Sequence, residues 1–138
     1  MMSRSTAARW FTRVVWAGIA ANLALAFPTI AAPATMIERL SLPTATPDLW
    51  PRFAAILLVL LSVFYMPAAI DPDRYRANAW FAVGARLVGV VFFLGEGAAY
   101  RTLALFDLAF FVPQAVLLFL ATRARASGKS VEAPVTAV

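Results

Sequence analysis

The chain has 138 residues, 62% of them hydrophobic and only 14% charged, with a net charge of +5, no cysteine and no histidine. A soluble domain carries about 45–50% apolar and about 25% charged residues, so this composition, with a mean hydropathy of +0.79, belongs to a chain whose solvent is lipid. The absences exclude disulfides, thiolate nucleophiles, Fe–S clusters, bis-His haem and any imidazole base, and the lone lysine, Lys129, stands in a polar C-terminal stretch, which leaves no intramembrane Schiff base.

Four apolar segments are each long enough to cross ~30 Å of hydrocarbon, which takes roughly 17–25 helical residues. They run over about 11–30, 53–70, 77–95 and 103–121. Runs this continuous are helical, because a spanning barrel alternates polar and apolar residues and nothing else satisfies its backbone in lipid. The expected fold is therefore an all-α integral membrane protein, a four-transmembrane-helix bundle over residues 1–122, followed by a disordered cytoplasmic tail over 123–138.

Near the first span lie three arginines, and Ala-Pro-Ala occupies 32–34, a pattern that also suits a cleavable signal peptide. The length of the segment, its prolines, Trp16 and Asn22 favour an uncleaved helix. Ala17-x-x-x-Ala21 and Ala20-x-x-x-Ala24 predict close helix packing there. The connection to the second span is too long for a hairpin, and its middle, ATMIERLSL, is expected to form a short amphipathic helix on the outer interface. In DPDRYRANAW, Asp71 suits an N-cap, Pro72 a first helical position and Asp73 a first turn. The last connection, EGAAYR, predicts a tight hairpin between the third and fourth spans.

Orientation follows from the arginines. With both termini inside, Arg4, Arg9, Arg13, Arg74, Arg76, Arg123, Arg125 and Lys129 are internal, and Arg39, Arg52 and Arg101 external. That is the positive-inside bias. Basic residues lie singly or in pairs at span edges, with no basic face, so no nucleic-acid partner is expected.

Arg86 stands apart, inside AVGARLVGVVFFLGEG. A guanidinium stays charged, and at mid-bilayer it costs from ~3 kcal/mol on insertion scales to over ~10 in simulations of a lone helix. In a hairpin turning near residues 98–102, Arg86 is expected opposite Gln114, with Asp107 level with Phe93. Asn22 and Ser62 fall near the middle of the first two spans, with Tyr65 about one turn further in. Asp107 lies ~10 Å along the axis from Arg86 at 1.5 Å per residue. The expected arrangement has Arg86 pointing into the bundle, hydrogen-bonded to Gln114 and Asn22, with Asp107 as counter-charge. The candidate ligand site is thus Arg86, Gln114, Asn22, Asp107, Ser62 and Tyr65. The plainer reading makes Asn22, Ser62 and Gln114 glue between helices, at ~0.6 kcal/mol per contact.

In length, in its four spans with a long first outer connection, and in the hairpin ANAWFAVGARLVGVVFFLGEGAAYRTLALFDLAFFVPQAVLLFLATR, the chain resembles the DoxX-like group of small bacterial four-helix membrane proteins. The resemblance implies an inner-membrane bundle linked in several relatives to quinone or thiol redox systems. The absence of cysteine speaks against a thiol role. The expected function is non-catalytic: an accessory or binding protein in the bacterial inner membrane. Its ligand would be an amphipathic or anionic molecule, with a quinone the one cofactor candidate. The alternatives are a small proton-coupled transporter using Asp107 or Glu96, and a structural subunit of a membrane complex. The expected partners are the lipid bilayer and a second copy or other membrane subunit.

Overall fold

The computed structural model describes residues 4–129. Helix α1 spans Arg4–Ala31, a short α2 Pro33–Arg39, α3 Leu49–Ile70, α4 Arg76–Gly95 and α5 Arg101–Lys129, with a 3-10 turn at Ala98–Tyr100 between the last two. No strand occurs among the described residues. The four long helices are each apolar and long enough to cross a membrane. The expected all-α, four-span bundle is thus the fold.

The spans extend beyond their apolar runs. Helix α1 begins at Arg4 and α3 at Leu49, because backbone hydrogen bonding continues outside the hydrocarbon once a helix has formed. Helix α5 runs on to Lys129, so the expected start of the tail at 123 falls inside it; residues 130–138 lie outside the described ones. Arg123 stacks its guanidinium over Phe119 at 4.4 Å, and Arg13 does the same over Trp10 at 4.9 Å.

The helices form a ring in which α1 packs on α3 and α5, and α4 on α5 and, more sparsely, on α3. The seam between α3 and α4 is closed by the edge-to-face pair Phe64–Phe81, 4.8 Å between centroids, and by Asn78 Nδ2 donating to the Phe64 carbonyl at 3.1 Å. Outside, the ring is apolar: Trp16, Phe27, Leu60, Val88, Phe92 and Leu105 are all exposed. Only 28% of the most apolar window of α1, α3 and α4, and 17% of that of α5, is buried. The rest is surface for acyl chains, since such a patch on a soluble monomer would drive association.

Two local expectations are corrected. Asp71 does not cap a helix that starts at Pro72. Its Oδ1 accepts from the backbone N–H of Asp73 and Arg74, both at 3.0 Å, which closes a turn between α3 and α4, and α4 begins only at Arg76. The bonding is that of an N-cap, but Tyr75, at φ −104° and ψ 52°, leaves the helical region and ends the turn. Nor do the predicted alanine pairs mediate the packing of α1, because Ala17, Ala20 and Ala24 are exposed and Ala21 is only half-buried. The buried stripe is Phe11, Val15, Gly18, Asn22 and Ala26, one residue every three or four, which is the helix period.

Along its axis the bundle divides into unlike halves. At the end that holds the start of α1 and the α3–α4 turn, Phe11, Val15, Tyr65, Ala82, Val83 and Leu118 pack into one cluster. At the other end, Leu25, Ala55, Leu58 and Leu103 line a half-open cavity that α2 covers with Met36 and Ile37. The amphipathic segment expected on the outer interface is α2, and its apolar side is the roof of that cavity.

Candidate functional site

Among the described residues, the buried polar and charged side chains are Asn22, Ser62, Arg86 and Gln114, each at most 3% exposed. One comes from each long helix. Arg86 is the hub. Its Nη1 donates to Asp107 Oδ1 at 2.6 Å, and its Nη2 donates to Asn22 Oδ1 at 2.8 Å and to the Gly18 carbonyl at 3.3 Å. Asn22 Nδ2 passes the chain on to Ser62 Oγ at 3.1 Å, and the Ser62 hydroxyl donates to the Leu58 carbonyl at 2.8 Å. One continuous run of hydrogen bonds therefore links α3, α1, α4 and α5. The guanidinium carbon also lies 5.1 Å from the ring centre of Phe110, 5.5 Å from Phe106 and 5.9 Å from Tyr65, within cation–π range. Charge pairing, three donated bonds and aromatic faces together offset the cost of a cation at mid-depth.

Gln114 departs from expectation. No hydrogen bond joins it to Arg86; its Oε1 and the Arg86 Nε are both buried without a partner. The register explains the change. Gly97, at φ +103°, reverses the chain in the backbone region that glycine favours, so the hairpin turns at Gly97–Tyr100 and not at 98–102. Asp107 consequently faces Gly89, one turn nearer to Arg86 than the expected Phe93, and Phe110 meets the guanidinium in place of Gln114. The shift that separates Arg86 from Gln114 is the one that brings Asp107 within direct reach.

Two glycines make room for the pair. A Cβ on Gly89 would overlap Asp107 Oδ2 and stand 2.9 Å from its Cγ. A Cβ on Gly18 would stand 3.2 Å from Arg86 Nη2 and 3.4 Å from Gln114 Nε2. Neither glycine is among the candidate site residues read from the sequence. The available signal was spacing: Gly18 lies four residues before Asn22, and Gly89 three after Arg86, which puts each on its partner's face. Phe106 and Phe110 carry no such signal, since aromatic residues abound on these helices.

The cavity, about 270 Å³, reaches down to this cluster. Its walls are apolar apart from Thr29, and Arg86 and Asp107 stand at its inner end. Of the six candidate residues, these two line it. Asn22 and Ser62 hold Arg86 from behind, Tyr65 belongs to the packed cluster of the opposite half, and Gln114 sits beside Gly18. Glu96 and Arg101 are exposed where the helices of the hairpin end. Comparison with protein-family models, with curated proteins and with solved structures returned no match. The reading of the site therefore rests on its geometry.

Proposed function

We propose that the chain is a non-catalytic, multi-pass protein of a bacterial inner membrane, with both termini cytoplasmic, that holds one amphipathic small molecule in the α2-covered cavity. The observation that carries this reading is the cavity itself, an apolar chamber ending on a buried ion pair. Binding sites combine this kind of concave apolar wall with a few placed polar groups. A bundle that needed Arg86 only as helix glue would have no use for open space above it. The same architecture supports placing the chain with the DoxX-like group.

The packed half speaks against the transporter alternative. Beneath Arg86 lie Tyr65, Ile19, Val83 and Leu118, all at most 6% exposed and packed together, and none of them lines the cavity. Native mass spectrometry of the gently extracted protein tests the binding reading. The wild type is expected to carry a single amphiphile adduct, and Ala55→Phe, which fills the cavity from α3 without touching the ion pair, is expected to lose it. A wild type that is always bare, or an adduct that survives Ala55→Phe, overturns the proposal.

A further inference from the structure

Resting on that binding reading, we infer that the cavity selects an uncharged amphiphile whose head donates a hydrogen bond, such as a hydroxyl, and that Asp107 and not Arg86 receives it.

The first argument is access. Both members of the pair stand at the end of the cavity, but their side chains are unequally open, 3% for Arg86 and 15% for Asp107. Three of the four N–H bonds on the terminal nitrogens of Arg86 are donated, to Asp107, Asn22 and Gly18. Its Nε is buried out of reach, and Phe106, Phe110 and Tyr65 crowd around the guanidinium. What a molecule in the cavity meets is therefore the carboxylate. An ionised carboxylate only accepts, and its two oxygens offer about four lone-pair sites. Arg86 Nη1 takes one of them, at Oδ1.

The second argument is charge. The guanidinium and the carboxylate already balance each other across 2.6 Å. An anionic head would add a negative charge beside Asp107 in a low-dielectric chamber. A cationic head would compete with Arg86 for the same carboxylate and leave one positive charge in excess. Either leaves an unbalanced charge out of water, which is the expensive case. A hydroxyl brings a donor and no charge. Its hydrogen bond to a charged acceptor is among the stronger kinds, and the walls of Leu25, Leu58, Leu103 and Phe93 take the hydrocarbon part. A volume of about 270 Å³ lies just below the ~300–1,000 Å³ range of drug-sized sites, so a single head with a short length of chain suits it.

Saturable binding of four ten-carbon probes to the full chain in lipid nanodiscs, with empty nanodiscs subtracted, decides the point. The probes are decanol, its methyl ether, decanoate and decylammonium. Decanol is expected to bind at least about tenfold tighter than the ether, which keeps the oxygen but loses the donor, and tighter than either charged probe. Ala55→Phe is expected to abolish that binding. Decanoate or decylammonium binding tightest, or decanol and its ether binding equally, overturns the inference. If Ala55→Phe still removes the binding in those cases, the cavity reading survives without it. If no probe saturates, or if Ala55→Phe changes nothing, both fall together.

Discussion

The two halves of the bundle are built from the same helices and similar residues, yet one is filled and the other hollow. On the side of the chain termini, Phe11, Val15, Tyr65 and Leu118 occupy the axis. On the α2 side, the inward positions of α1 and α3 are small, Ala26 and Ala55, and the larger side chains stand back around a cavity. Lipid tails are as apolar as leucine, so filling a membrane interior gains only packing. A hollow half therefore forfeits dispersion contacts that the other half shows this chain can make. On the proposed binding reading, the hollow half is the working one and the filled half its foundation, with the Arg86 network as the partition between them.

The strongest way to break this comparison is at the partition. Arg86→Leu leaves the half-buried Asp107 without its partner and breaks the hydrogen bonds between α4 and α1. It is expected to destabilise the bundle by about 3–5 kcal/mol in a reversible detergent-unfolding titration. Adding Asp107→Leu should recover most of that loss, because the penalty lies in the orphaned charge. If the double variant is no more stable than the single one, the network contributes more than charge balance.

Next comes the contrast between the halves. Phe11→Ala opens a void in the filled half and should lose about 3 kcal/mol, the low end of such truncations, since lipid supplies no transfer term. Leu25→Ala only widens an existing cavity and should cost under about 1 kcal/mol. Equal losses in the same titration would mean that the cavity half is packed as tightly as the other.

The finest distinction sets two glycines of α4 against each other. Gly89→Ala drives a methyl group into the Asp107 carboxylate and should cost about 1–3 kcal/mol. Gly84 has nothing within 4 Å of its would-be Cβ, so Gly84→Ala should gain up to ~1 kcal/mol of helix propensity. Opposite signs from one substitution on one helix would confirm that the first glycine serves the ion pair.

Much of this was legible in the residues. Asn22, Ser62, Arg86 and Gln114 could be picked out as mid-depth polar side chains because depth follows from counting along a helix of known rise. The inward turn of Arg86 follows from the cost of facing lipid. Its pairing with Asp107 was also within reach, as one of few acids near enough. That Gln114 makes no hydrogen bond to Arg86 was not, because a single turn of helix decides it, and the register is set where Gly97 reverses the chain. The roof of the cavity was hidden too. Met36 and Ile37 read as one side of an amphipathic segment, and only the fold shows that this side faces protein.

Sequence alone therefore determined the environment, the number of spans and the depth of the polar groups, since each depends on short stretches of chain exchanging water for lipid. The tertiary structure alone decided which groups meet, which glycines make room for them and where the bundle stays open. Those outcomes hang on helix register and on contacts between distant segments. A shift of one turn, about 5.4 Å, exchanges every neighbour while leaving hydropathy unchanged.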